Sequence, residues 1–537
     1  MTDASHDHAD TFSQRRVFSV LGTHPEPGGY GIAKFSRSAR PYQDWIFDLT
    51  DEGAHAFYET FYFDYGHASI ADLAHLTVVL ENVSMVAAEV LWDEPLLDGQ
   101  ASSTRYQDFQ KRGFHTPEEI EGTDLETPYN ELCGRLIDAY GRFHEKILDD
   151  FVERYRDQRP SGMSDDAYRR TLNARAFDVA RYVLPMGIRT GLGHILSART
   201  LERQLVKLLS HPLEEVREVG ADLKRAAVDE PAFNPMVERL RPLLERLQAE
   251  VIPDGHNPDS NDSNKDNSRA REALDEVRRV TGFGAAATPT LVKYAEPSAY
   301  RRDLRTHINA EAARWSEALG PPNGARGVEL IDPHDPETEA ICSLLYEHLP
   351  HSYAQIKGLA DGMTPDERRA ILDPVFERRG SHDPLPRALC SGYRLIFDVS
   401  TDCGAWRDFH RHRRMIQLAK PLRSVYGYEI PDAIGAADLT SAYRSLMADA
   451  GQLAEQIEER SPGVGQYALP MAFRQRALFK MDAAQLQYIV ELRTRPENHF
   501  SVRETAYELY AAFRQQHPSW ARHIRAVSPD DEAFFQR

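Results

Sequence analysis

Cysteine is scarce: four in 537 residues, at Cys133, Cys342, Cys390 and Cys403. None forms a C-x-x-C pair, so neither a zinc ribbon nor a thioredoxin-type redox site is signalled, and scattered single cysteines fit a reducing compartment. Positive charge is also in short supply. Sixty-four Lys and Arg against 83 Asp and Glu leave a net charge of −19, which argues against bulk nucleic-acid binding but leaves room for a local basic pocket. Long apolar runs are missing too. The best candidate, Leu76 to Trp92, carries Glu81 and Glu89 and falls short of the roughly 18 uncharged residues of a spanning helix. Met1 to Asp10 is polar and acidic and does not read as a secretory signal. A cytoplasmic protein with no membrane and no nucleic-acid partner is the expectation.

What is present suits a packed, multi-domain chain: 41% hydrophobic and 27% charged residues, at a length that calls for two or three cores. The clearest break is Pro253 to Ser268, which has almost no apolar side chain to bury and reads as a flexible acidic linker. It divides the chain nearly in half, into residues 1–252 and 328–537, with 253–327 as linker plus an insertion that joins neither half by pattern. Near-equal halves call for a search for duplication. Arg181-Tyr182-Val183-Leu184-Pro185-Met186-Gly187-Ile188-Arg189 lies over Gln466-Tyr467-Ala468-Leu469-Pro470-Met471-Ala472-Phe473-Arg474, with five of nine positions identical. Each half also has a strand-like stretch ahead of this segment, Leu76 to Val83 and Tyr393 to Val399, and a helical run after it, Ser197 to Ala227 and Met481 to Gln515.

Helical spacing of apolar residues predicts a helix over Cys133 to Gln158. Ser164 is an N-cap candidate for the next helix, with Asp165 and Asp166 in its first turn, and that helix should run to about Tyr182, before Pro185. Thr288 to Tyr294 looks extended.

The densest cationic cluster is Phe409-His410-Arg411-His412-Arg413-Arg414. Three readings are open for it: a solvated basic face, a metal pair at His410 and His412, or an anion pocket for a nucleotide or flavin. No acidic or cysteine partner stands at zinc spacing, and no metal site is expected.

Arg411-His412-Arg413 resembles the opening of the signature R-H-R-x-x-S-x-N-x-x-S-x-R of flavin-dependent thymidylate synthases. After it, Ile416, Leu418 and Pro421 stand where Ser, Asn and Ser belong, and only Arg423 returns. The first half does the converse, with Asp93-Glu94-Pro95 at the R-H-R positions and Gln100 at the Asn position, while Ser103 and Arg105 survive. Gly66-His67-Ala68-Ser69 resembles the family's Gly-His segment, with Ser381-His382-Asp383-Pro384 as its counterpart. Arg181 resembles the arginine that holds the nucleotide, where the second half has Gln466. Arg493, with His499 following, resembles the arginine that activates the uracil ring, where the first half has Leu208.

The resemblance implies an α+β fold: two tandem repeats, each a short antiparallel or mixed sheet flanked by long helices. In the family each site lies between subunits. The surviving sets, Arg411, His412, Arg413 and Arg493 in one half and Ser103, Arg105 and Arg181 in the other, would complete one composite site, and the remainder one dead site. The implied substrate contacts are Ser103, Arg105, Arg181, Arg411 and Arg493, the last also catalytic. The implied flavin contacts are Arg411, His412, Arg413, His67, Ser69, Arg199 and His499. The implied reaction methylates dUMP to dTMP, with methylenetetrahydrofolate as carbon donor, FAD as cofactor and NADPH as reductant. A homodimer would rebuild the family's usual tetramer. A pseudoenzyme that only binds nucleotide or flavin, and carbon transfer to another pyrimidine, are the alternative readings.

Overall fold

A computed structural model describes residues 18, 20, 22–36, 42, 49–105, 107–251, 272–277, 284–303, 305–306, 309–310, 325–330, 335–346, 353–377, 389, 394–530 and 534–535. The linker stretch Pro253 to Ser268, the Ser381-to-Pro384 segment, Cys390 and Tyr393 lie outside the described residues.

The chain is a mixture of helix and sheet. Among the described residues the strands form two small sheets, both antiparallel throughout. β1 (His75–Ser84), β2 (Leu97–Ala101) and β3 (Arg189–Ser197) are ordered β1-β3-β2. β4 (Gly327–Leu330), β5 (Leu395–Asp402), β6 (Ile416–Ala419) and β7 (Arg474–Met481) are ordered β4-β5-β7-β6. Strand alternation explains the register: Gln475, Ala477, Phe479 and Met481 face inward from β7 while their neighbours stay half exposed. In the other sheet Leu76, Leu196 and Leu97 lie opposite one another on the buried face.

Several bonds recur at corresponding positions in the two halves, although one sheet has three strands and the other four. Ser84 caps the helix Met85–Trp92 through Ala87 N, as Asp402 caps Cys403–His410 through Ala405 N. Tyr129 Oη donates to His115 O at 2.8 Å, and Tyr443 Oη to Glu429 O at 2.7 Å. Arg189 N bonds Gly113 O at 3.0 Å, and Arg474 N bonds Gly427 O at 2.9 Å; both glycines have positive φ, 68° and 71°, which the chain reversal requires. The long helices Glu126–Arg154 and Thr440–Arg460 occupy corresponding places and pack together, with Phe143 stacked on Tyr443 at 6.4 Å.

The Leu-Pro-Met segments meet at the centre. Pro185 and Pro470 form an antiparallel bridge. Met186 N donates to Leu469 O at 2.9 Å and Met471 N to Leu184 O at 3.0 Å. Gly187 N donates to Tyr467 O and Ala472 N to Tyr182 O, at 2.9 and 3.1 Å. Each bond therefore has a partner with the halves exchanged, and the local arrangement is a pseudo-two-fold seam. Tyr182, Leu184, Tyr467, Leu469 and Met471 are at most 1% exposed, so the seam lies in the core.

Several sequence expectations need adjustment. The helix expected over Cys133–Gln158 spans Glu126–Arg154. Ser164 does cap the next helix, accepting from Ala167 N at 3.2 Å, but α-helix ends at Ala180 and tightens to a 3-10 turn over Arg181–Val183. The run Ser197–Ala227 is two helices, Ala198–Leu209 and Glu214–Val228, broken near Pro212. Met481–Gln515 likewise divides into Ala483–Arg493 and Phe500–Gln516. Thr288 to Tyr294 is a series of turns. This part of the insertion packs on the first half: buried Glu26 accepts from Thr288 Oγ1, Thr290 N and Leu291 N at 2.9, 2.8 and 2.7 Å. Among the described residues no helix is long and apolar enough to cross a membrane.

Candidate functional site

Beside the seam, the two halves enclose a cleft of about 230 Å³. The loop after β2 supplies Ser102, Ser103, Thr104 and Arg105, and the 3-10 turn before the seam supplies Arg181. The opposite wall is the helix Cys403–His410 with Arg411 at its end. Arg105, Arg181, Arg407 and Arg411 face two carboxylates, Glu89 and Asp408, so guanidinium charge exceeds carboxylate charge by two.

Arg181 is 2% exposed. Its Nη1 donates to Thr104 Oγ1 and its Nη2 to Gly404 O, both at 3.3 Å, while its buried Nε has no hydrogen-bond partner. A buried guanidinium N–H without an acceptor carries a desolvation cost, and the rest of the Arg181 side chain lines the cleft. Arg105 is already committed: its Nε and Nη2 hold both oxygens of Asp178, at 2.6 and 3.2 Å, and Nη2 reaches Glu497 O at 3.4 Å. That last bond ties the first half to the loop after Arg493. Arg175 reinforces it by donating to Pro496 O, Asn498 O and Phe534 O.

Arg493 stands behind the Asp408 wall, with Nη2 on Asp408 O and Nε on His412 Nε2, both at 2.9 Å. Burial, then the Arg493 and Arg411 guanidiniums, push His412 down to about 3, so its ring is neutral near pH 7. Arg411 donates to Gln100 at 3.3 Å and Arg413 to Asp98, so the cationic segment rests on β2 of the first half.

Sequence reasoning singled out Glu89 only as a charge inside an apolar stretch, and did not separate Arg407 and His410 from the basic cluster. Glu89 Oε1 pairs with Arg407 Nε at 3.0 Å, and its Oε2 with His410 Nδ1 at 2.9 Å. Burial would raise its pKa; the His410 hydrogen bond and Arg407 charge outweigh this and hold it below the ordinary value. The signal was present: one carboxylate in the apolar segment Met85–Trp92 must find a cation when that helix is buried. His410 thus turns to Glu89 and His412 to Arg493, and the two imidazoles do not converge on a metal. Among the described residues no group of three or more His, Cys, Asp or Glu is arranged to hold one.

The sequence pattern described as thymidylate synthase complementing protein matches residues 32–230 and 336–519, more than half of the chain. The chain belongs to this family. A UPF0159 protein of Thermoplasma acidophilum is similar over 531 residues at 24% identity, covering 93% of this chain and 95% of its own length. UPF0159 proteins of Chlamydia muridarum and Chlamydia pneumoniae are 24% and 25% identical, covering 89% and 90% of this chain and 82% and 83% of their own.

Of the residues singled out by resemblance to the thymidylate synthase complementing family, Ser103, Arg105, Arg181 and Arg411 line one cleft within one chain. Arg493, His412 and Arg413 lie immediately behind or beside it. The others stand elsewhere. His499 is fully buried as the N-cap of Phe500–Gln516: Nδ1 accepts from Ser501 N at 3.3 Å, leaving Nε2 to donate to Asp178 O at 3.0 Å. Both ring nitrogens are used in these two bonds. His67 and Ser69 belong to the turn before β1, and Arg199 pairs with Asp72 at 2.8 Å; none of the three lines the cleft.

Proposed function

We propose that the chain is a flavin-dependent thymidylate synthase-like enzyme built from two fused, diverged copies of one fold, converting dUMP to dTMP at one composite site. The observation that supports it best is the cleft shared by Ser103, Arg105 and Arg181 of one half and Arg411 of the other, with Arg181 Nε buried and unpartnered. Arg181 and Arg411, the two lining guanidiniums with no ion pair among the described residues, suit a phosphate dianion, and charge-assisted bonds from Arg181 and the Ser102–Arg105 loop would anchor it. The bonds that recur between the halves support the duplication. At the pseudo-symmetric position Gln466 replaces Arg181, Pro421 replaces Ser103 and Asp93-Glu94-Pro95 replaces the cationic triplet, which is the composition of a site no longer suited to an anion.

The nucleotide's uracil would lie toward Asp408, where the positive charge of Arg493 favours an N3-deprotonated ring. Arg411 and Arg413 present two guanidiniums to the rim, held by neutral Gln100 and exposed Asp98; that donor set suits the diphosphate of FAD. When bound and reduced, FAD supplies hydride, with methylenetetrahydrofolate giving the carbon and NADPH recharging the flavin. The protein's own share is to anchor the phosphate, polarise the ring and keep the reacting groups together. His67, Ser69 and Arg199 would serve such a site only from a second copy, which fits a homodimer standing in for a tetramer.

A non-catalytic nucleotide binder is the second reading. The closed Arg105–Asp178 pair and the apolar Ile416 and Leu418 at expected polar positions favour it. The test is complementation of a thymidine-requiring strain, paired with the absorbance spectrum of purified protein. Growth with a bound-flavin spectrum supports the synthase. Nucleotide binding with neither growth nor dTMP formation supports the second reading and ends the first.

A further inference from the structure

We propose that His410 is a catalytic proton-transfer residue of this cleft, oriented by Glu89 from the other half of the chain. The inference rests on the synthase reading and adds to it a group outside the family residues identified above. His410 is the last residue of the helix Cys403–His410 and is 9% exposed. Its ring is fixed twice, by stacking on the Trp406 indole at 5.0 Å and 28°, and by Nδ1 on Glu89 Oε2 at 2.9 Å. Arg407 takes the other oxygen of Glu89, which keeps the carboxylate as an acceptor. Because a carboxylate can only accept, Nδ1 carries a proton, and the neutral form of the ring has its lone pair on Nε2. Among the described residues nothing hydrogen-bonds Nε2.

His410 also stands between two spaces. It lines the arginine-rich cleft and an adjoining chamber of about 200 Å³ in which Trp92, Pro95, Met415 and Ile416 stand beside Asp93, Glu94, Arg413 and Gln417. A base whose second nitrogen is held by a carboxylate, at the junction of two solvent-sized spaces, has the arrangement of a general acid–base group.

Methylation of a pyrimidine at C5 requires such a group. The C5–H bond breaks, its electron pair stays with the ring, and the proton passes to His410 Nε2. Glu89 stabilises the imidazolium until the proton leaves to solvent. A purely structural Glu89–His410 pair, joining the halves, would have none of these consequences.

The test is steady-state kinetics of dTMP formation by the full-length flavin-loaded protein, with release of deuterium from C5-deuterated dUMP followed in parallel. His410→Gln keeps an amide donor for Glu89, so the ion-pair seam is preserved. It should lower kcat by about 10²- to 10⁴-fold, with KM for dUMP little changed and deuterium release falling with kcat. Glu89→Gln should lose less, and added imidazole should restore part of the activity of His410→Gly. Undiminished kcat in both His410→Gln and Glu89→Gln overturns this proposal and leaves the synthase reading standing. Should the wild-type protein form no dTMP at all, both fall together.

Discussion

Arg493 donates from Nε to His412 Nε2 at 2.9 Å, which fixes the imidazole proton on Nδ1. His412 titrates at about 3 in the fold, against 6.5 ordinarily. The folded value is the lower one, so the unfolded chain takes up this proton first as pH falls. Stability is intact above about pH 6.5 and declines toward about pH 3, by up to about 1.4 kcal/mol per pH unit from this group. Urea unfolding between about pH 7 and pH 5 should show the slope; burial also pushes His194, His211 and His499 down, so His412→Gln, which keeps an acceptor for Arg493, should reduce the slope by one group's share. An equal slope in the variant would remove His412 as a source.

Nucleotide affinity should depend on Arg181 and be indifferent to Arg423. Losing a charged hydrogen-bond donor costs about 1.5–3 kcal/mol, or roughly 10- to 150-fold in Kd. Calorimetry with dUMP should give one site per chain, a loss of that size in Arg181→Gln, and wild-type affinity in Arg423→Gln. Two sites per chain, or equal losses in the two variants, would contradict a single composite cleft.

Gly187 sits where a side chain has no room. A Cβ there would meet Tyr129 Oη at 2.2 Å and the carbonyls of His115 and Tyr467 at 3.3 Å. Gly187→Val should destabilise by about 3 kcal/mol or more, as overpacking does in a closed core. Gly134, inside Glu126–Arg154 with nothing within 4 Å of its added Cβ, gives the opposite sign. Gly134→Ala should stabilise by about 0.5–1 kcal/mol through helix propensity. Thermal melts of both variants check the pair.

Glu26 fastens the insertion. Its removal in Glu26→Ala leaves two buried amides and a hydroxyl without their acceptor, for a cost of about 2–4 kcal/mol. Hydrogen exchange should rise at residues 288–295 and leave the seam at 182–187 protected. Unchanged exchange at 288–295 would mean that other contacts hold the segment.

Much of the site could be read from residue identities, because guanidinium chemistry is local to the residue. Arg105, Arg181, Arg411 and Arg493 were recognisable by sequence context, and the structure brings three of them into one cleft and the fourth behind its wall. Strand β5 and the Ser164 cap were legible for a similar reason, since the alternation of Leu395, Phe397 and Val399 and a capping hydroxyl act over a few residues. Strands β3 and β7 were not. β3 carries Gly191 and Gly193 and buries His194, so its inward face is not cleanly apolar, and both strands run directly into helices capped by Ser197 and Asp482. The roles of Glu89 and His499 depend on partners 321 residues away in sequence, beyond the reach of any local pattern.

The paired Leu-Pro-Met segments also set an order for synthesis. Met186 and Gly187 N–H groups find their acceptors on Leu469 and Tyr467, so a nascent chain paused between those points exposes donors that the finished core would bury. Its first half has a fully translated sequence and an open interior edge. Folding of that half can be completed only when the last third of the message has been read, and ribosome stalling in the interval should yield a chaperone client in place of a finished domain.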